Sequence, residues 1–163
     1  MADEADISLV ADSTVEIGGT ITDASLAEFE AAPRTWVEVK GLVDIGEFGD
    51  EANVASLELI DGARVRKKKG TFDAGDMELV VARDPLDPGQ QALRAAVKSK
   101  SAYAIRITAN DAPEGGTPTV HYLKAYVASG KNRQGGANDF VQTAFVLAID
   151  AEPLTVEAEE AEA

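Results

Sequence analysis

Between Trp36 and Ile45 the chain alternates. Val37, Val39, Val43 and Ile45 fall on one side of a period of two, and Glu38, Lys40 and Asp44 on the other, as in a half-buried strand. The same period recurs along the chain. It sets Ala55, Leu57 and Leu59 against Ser56 and Glu58 in Val54–Ile60, and puts Glu78 on the polar side of Met77–Arg83. It turns Tyr103, Ile105 and Ile107 inward in Tyr103–Thr108, and Leu123, Ala125 and Val127 inward in Thr119–Ser129. In Phe140–Ile149 it gathers Val141, Thr143, Phe145, Leu147 and Ile149 on one face. Ile7 to Ile17 reads as a further strand, broken by Gly18-Gly19, for six or seven strands in all.

One segment reads firmly as a helix. Asp87 is placed as an N-cap, Pro88 stands at the first helical position, and Gln90 completes a capping box. The helix is expected over about 87–99, with Leu93, Ala96 and Val97 facing inward and Arg94 and Lys98 facing water. Lys98 and Lys100 lie near its C-terminal end, where the macrodipole favours cations. Asp23 to Ala32 has one or two helical turns, with Ser25 as cap, Glu28 three residues on, and Pro33 as the stop. Residues 46–76 read as a long, partly extended loop around the 54–60 strand, and 110–118 and 130–138 as turns. The fold expected is mainly β: an antiparallel sandwich or barrel with one flanking α-helix. Turn signals between strands, rather than alternating helices, argue against a doubly wound sheet.

The length of 163 residues suits one domain with a core of its own. Within it, 1–33 is an acidic N-terminal segment, 34–150 the β core, and 151–163 an acidic arm; residues 1–6 and 154–163 are expected to be flexible. There is no cysteine, which excludes disulfides, thiolate metal sites and thiol nucleophiles. The longest purely apolar run, Ala144–Ile149, is far short of the ~20 residues that span a bilayer as a helix. The first residues are acidic where a secretory signal is basic and then apolar, so a cytoplasm-like compartment is expected, with no membrane partner.

Charge changes the picture further. The net charge is −14: residues 1–33 carry −8, residues 34–133 carry +1 and hold all fifteen basic residues, and residues 134–163 carry −7. Such a chain repels nucleic acid rather than binding it.

Catalytic signatures are absent. There is no phosphate-binding loop, no Gly-x-Ser-x-Gly elbow and no Gly-x-Gly-x-x-Gly. The Gly-Gly pairs at 18–19, 115–116 and 135–136 read as turns. His121, the one histidine, has no nucleophile or orienting acid nominated beside it and reads as an ordinary surface or half-buried residue. Asp73, Asp76, Glu78, Asp84 and Asp87 cluster as a calcium site or glycosidase pair might, but the Asp-x-Asp-x-Asp-Gly pattern is missing and Asp87 is used as a cap. No enzyme and no cofactor is expected. The one basic cluster is Arg64, Arg66, Lys67, Lys68 and Lys69, with Phe72 just after it. In so acidic a chain, pairing with another copy fits these residues better than binding DNA.

The stretches Gly70-Thr-Phe-Asp-Ala-Gly-Asp-Met-Glu-Leu79, Asp84–Asp87 with Pro88-Gly-Gln-Gln-Ala-Leu93, and Tyr103-Ala-Ile-Arg-Ile107 form an ordered pattern. Ala125-Tyr-Val-Ala-Ser-Gly130 and Phe140-Val-Gln-Thr-Ala-Phe-Val-Leu147 continue it. In kind and order, over roughly 33–150, the chain resembles the major tail tube proteins of long, non-contractile-tailed (siphovirus-type) bacteriophages. The resemblance implies a structural virion protein, assembled in the host bacterial cytoplasm, whose hexameric rings stack into a tail tube. It implies a channel through which double-stranded DNA passes without specific binding. It also implies a tape-measure protein, a tail terminator and distal tail or tail-tip proteins as partners. The family's ring-to-ring loop then falls within 46–76, making Arg64, Arg66, Lys67, Lys68, Lys69 and Phe72 inter-subunit candidates, and the acidic strand residues Glu38, Asp44 and Glu58 become lumen-facing candidates. Three rivals stand beside this reading: a tube or ring protein of a contractile-tail or secretion-type injection machine, a monomeric β-sandwich binding module and, third, an enzyme, which turnover tied to His121 or the Asp73–Asp87 carboxylates would support. Trp36 and three tyrosines are thin material for the binding module.

Overall fold

The computed structural model describes residues 8–31 and 34–162. Along the chain run β1 (Thr14–Thr20), α1 (Leu26–Phe29), β2 (Val37–Val39), β3 (Leu42–Asp44), β4 (Glu51–Leu57), β5 (Arg66–Asp73) and β6 (Asp76–Ala82). Then follow α2 (Pro88–Lys98), β7 (Tyr103–Thr108), β8 (Val120–Arg133), β9 (Gln142–Ile149) and β10 (Leu154–Val156). The fold is mainly β and antiparallel, as expected from the sequence. Of the sequence readings, the stretch 1–6 expected to be flexible, Ile7, Ala32 and Pro33 lie outside the described residues.

The main sheet has the order β2-β1-β7-β8-β9-β6-β3, with β10 added to β8. Its two end strands, β2 and β3, are consecutive in the chain and joined only by Lys40 and Gly41. The sheet therefore curls until its ends meet. Helix α2 seals the meeting point. Asp87 caps it by accepting from the Gln90 amide at 3.0 Å and also takes the Lys40 amide at 3.2 Å. Inside the curl, Val15, Leu79, Val81, Leu93, Ile105, Leu123, Phe145 and Leu147 are buried, so the inward faces read from the sequence for β7, β8, β9 and α2 form the core, Val141 excepted. Outside it, a second cluster forms where α1 lays Phe29 against Tyr122, the rings 5.2 Å apart. Trp36 completes that cluster, and Arg106 lies over its ring at 4.5 Å.

The structure departs from the sequence reading in several places. β1 starts only at Thr14, β8 runs on to Arg133 through residues read as a turn, and Val141, ahead of β9, is exposed rather than inward. The 36–45 strand is two strands, because Gly41 turns the chain at φ +78°; the alternation resets there, so Val43 points out rather than in. Gly18-Gly19 is not a turn but lies within β1, at a register shift between Ile17 and Thr20. A Cβ on Gly18 would stand 2.7 Å from the Trp36 ring, so the glycine makes room for the indole. The stretch expected as a loop over 46–76 holds a two-stranded ribbon, β4–β5. Ala55, Leu57 and Leu59 do not point into a core, since that ribbon is exposed. Finally, the arm from Leu154 is not free. β10 pairs with β8, Leu154 opposite Tyr122, and Glu159 bridges to Thr117.

Candidate assembly surface

The ribbon pairs Leu57 with Arg66, Ser56 with Lys67, Ala55 with Lys68, Val54 with Lys69, Ala52 with Phe72 and Glu51 with Asp73, with a register shift between Ala52 and Val54. Asn53 donates to the Thr71 hydroxyl at 3.2 Å. It forms its own sheet rather than extending the main one. Every residue of β5 is exposed, and in β4 only Ala52 is partly covered. Leu57, Ile60, Val65 and Phe72 stand in solvent near its ends. A two-stranded hairpin is marginal by itself in water. This one keeps both faces bare and carries Arg64, Arg66, Lys67, Lys68 and Lys69, none of which forms a salt bridge among the described residues.

At the root of the ribbon the charge reverses. The Ile149 amide donates to the Gly75 carbonyl at 3.1 Å, and β6 pairs with β9, so residues 73–76 are brought beside residues 149–152. An open cleft of about 480 Å³ results, lined by Asp50, Phe72, Asp73, Ala74, Ile149, Asp150, Ala151 and Glu152. A neighbouring hollow of about 400 Å³ adds Glu47, Glu51 and Asp76. Of these seven carboxylates only Asp150 has a salt-bridge partner among the described residues, Lys124 at 3.0 Å. The sequence reading missed this cleft. Its acids come from three separated segments, and only the strand register gathers them.

The inter-subunit candidates from the sequence are thus on one element, with Phe72 at its root facing the acidic cleft. Of the lumen candidates, Glu38 and Asp44 lie on the two end strands that the curl brings together, and Glu58 lies apart from them on the ribbon. Glu38 is exposed on β2, next to Glu16 in register. Asp44 is on β3 at the other end of the strand order and accepts from the Gly46 amide at 2.8 Å. Glu58 follows β4 on the ribbon itself.

Four of the five carboxylates that suggested a metal have structural tasks. Asp73 accepts from Gly75 at 2.9 Å, Asp84 from Leu86 at 3.0 Å, Asp87 caps α2, and Glu78 pairs with Arg133 at 2.6 Å. Among the described residues no three His, Cys, Asp or Glu side chains could hold a metal ion together. His121 is half-buried on β8, its Nδ1 2.9 Å from the Thr155 hydroxyl and its ring edge-on to Phe48. Burial pushes its pKa down, opposed by Glu157 and Asp111. Asp111 is held below the usual carboxylate value, chiefly by the Thr119 hydroxyl at 2.6 Å and then by the Thr119 amide at 2.8 Å.

No protein-family model matches the sequence, and no curated protein matches it. Solved structures do match in three dimensions. A chain of the anti-feeding prophage (AFP) baseplate superposes with a TM-score of 0.67 at 13% identity, covering 96% of this chain and 98% of that one. The fold is shared with phage-tail and injection-system assemblies. The SPP1 tail tube matches with a TM-score of 0.57 at 16% identity, covering 94% of this chain and 81% of that one. The sheath/tube terminator of the PVC extracellular contractile injection system matches with a TM-score of 0.58 at 14% identity, covering 96% and 99%.

Proposed function

We propose that this chain is the structural subunit of a tail tube. Hexameric rings of it stack into a channel for genome delivery, in a virion of the siphovirus type. The observation that carries the reading is the β4–β5 ribbon, bare on both faces, on a fold that chains of tail and injection assemblies share. A ribbon of this kind is stabilised when another copy covers it. The protein acts by geometry rather than turnover, so it is not an enzyme and takes no cofactor. Its net charge of −14 suits a conduit for DNA, because an acidic wall lets a polyanion slide without adhering. Glu38, Asp44 and Glu58 remain the proposed lumen-facing acids. A tape-measure protein, a terminator and distal tail proteins are its further proposed partners, and the virion tail, built in the host cytoplasm, its proposed location.

A second reading, a ring or tube component of a contractile machine, is supported by two comparisons: the AFP baseplate chain and the PVC contractile injection system terminator both superpose with a TM-score above that of the SPP1 tail tube.

Negative-stain electron microscopy with light scattering on concentrated protein separates these. Hollow tubes of open-ended length, formed without a second protein, support the siphovirus-type reading. Rings that stop after one or two layers support the contractile-machine reading. Monomers of 17.1 kDa at every concentration, with and without a preformed tail tip, overturn both.

A further inference from the structure

The ribbon and the cleft at its root carry opposite, unspent charge, and one chain cannot bring them together. Lys67, Lys68 and Lys69 lie on a regular strand that runs away from Asp73. At about 3.3 Å per residue, Arg66 is roughly 23 Å from Asp73 along that strand. The five ribbon cations and six of the seven root carboxylates form no salt bridge among the described residues. Glu58 and Asp61 lie in the connecting turn of the ribbon, but Arg66 to Lys69 on β5 form an unbroken basic run, opposite in sign to the carboxylates of the cleft.

The geometry points to the acidic cleft of a second copy as the dock for the ribbon. β5 of one subunit lies against Asp50, Glu51 and Glu152 of the next, and Phe72 of the receiving chain offers an aromatic face to an incoming Arg64 or Arg66. The occupant is another copy of this chain because the complement is complete within the chain itself. DNA does not fit the pair, since the cleft repels it. The contact is also heterologous, because the donating and receiving surfaces differ. Such contacts propagate head to tail and either close into rings or grow into filaments. The inference rests on the tube reading and supplies the surface that receives the ribbon.

Charge reversal on each side makes the test. One variant carries Lys67→Glu, Lys68→Glu and Lys69→Glu, so its ribbon and cleft are both acidic. The other carries Glu47→Lys, Asp50→Lys, Glu51→Lys, Asp76→Lys and Glu152→Lys, which leaves only Asp73 and Asp150 acidic in the cleft, so both are basic. All eight positions are exposed, and far-UV circular dichroism checks the folds. Each variant alone is expected to lose association by light scattering. An equimolar mixture is expected to recover the wild-type mass, because every ribbon again meets a cleft of opposite sign. A mixture no larger than its components, or a single variant that associates like wild type, overturns the inference.

Salt on the wild-type chain provides a measurement that needs no variant. Association is expected to weaken steadily from 0.15 M toward ~1 M NaCl, as the screening length falls from about 8 to about 3 Å. Association that strengthens with salt overturns the charge pairing. Tubes from wild type without rescue in the mixture leave the tube reading standing and remove this inference alone. A wild-type chain that never associates removes both. A ribbon that binds a DNA duplex in gel-shift assays, with no rescue in the mixture, assigns it to another occupant and overturns the inference.

Discussion

Gln90 donates its side-chain amide to the backbone carbonyl of Lys40 at 2.8 Å. The same nitrogen serves the Ala82 carbonyl at 2.9 Å, and the side-chain oxygen accepts from the Asp84 amide at 2.9 Å. One fully buried side chain thus satisfies three backbone groups where the curled sheet meets itself. Gln90→Leu keeps the volume and strands all three. Leaving buried polar groups unpaired costs about 1–3 kcal/mol each, so a net loss of about 3 kcal/mol is expected after partial relaxation. In a domain of this size that lowers the melting temperature by roughly 6–12 °C. Thermal unfolding of the variant checks it, and a shift within a degree of wild type would show that water replaces the amide.

Gly89 tests the same seam with opposite expectations from local and tertiary effects. By helix propensity alone, Gly89→Ala gains about 1 kcal/mol. A Cβ there, however, would stand 2.2 Å from the Glu38 carbonyl oxygen and 2.6 Å from the Val39 Cα, both backbone atoms of β2. Moving backbone to admit it costs about 1–3 kcal/mol, so the clash wins. Denaturant titration should show a lower midpoint with an unchanged slope. A raised midpoint would mean that α2 is not seated on β2.

How much of this was legible follows from what each pattern encodes. The caps of α2 were readable because Asp87, Pro88 and Gln90 act within four residues of one another. The core strands β6 to β9 were readable because alternation records burial, and their alternate residues are buried. Of the ribbon, β4 overlaps the Val54–Ile60 strand read from the sequence, whereas β5 was not legible. Its Arg-Lys-Lys-Lys run has no apolar face because nothing within the chain buries it, and without an apolar face a strand leaves no period of two. The docked C-terminal arm escaped for a related reason. It is held by backbone pairing to β8 and by Thr119 accepting from the Ala158 amide at 3.2 Å, and an acidic sequence carries no sign of either. The acidic cleft, finally, exists only through the register of β6 with β9.

His121 gives the arm a pH dependence. Its folded pKa lies below the ordinary 6.5 because burial disfavours the charged ring. As pH falls through 6.5 the unfolded chain takes up a proton that the folded chain resists. Stability is therefore lost between pH 6.5 and the lower folded pKa, and this loss stops growing below that value. The facing groups are Thr155, Phe48, Glu157 and Asp111, and the two carboxylates limit the depression. Because there is one histidine, its ring gives a single titrating resonance. A midpoint below 6.5 in the wild type, and a flatter stability profile between pH 7 and 5.5 in His121→Gln, are expected. A midpoint above 6.5 would show that the carboxylates outweigh the burial.

Removing the ribbon separates folding from assembly. Glu51 and Asp73 face each other in register at its root, so residues 52–72 can be replaced by an Asn-Gly pair, the two-residue link that antiparallel strands favour. No residue from 52 to 72 contributes to the buried core. The shortened domain should therefore keep its unfolding free energy to within about 1 kcal/mol, as surface changes do. Its light-scattering mass should be that of a monomer even where the full chain associates, because the bare faces and the cations are gone together. A large drop in stability would instead make the ribbon part of the domain's own packing. Association that survives the excision would move the subunit contact to another surface, with the ribbon exposed for some other purpose. Because stability and association are read on the same sample, loss of assembly cannot be mistaken for loss of fold.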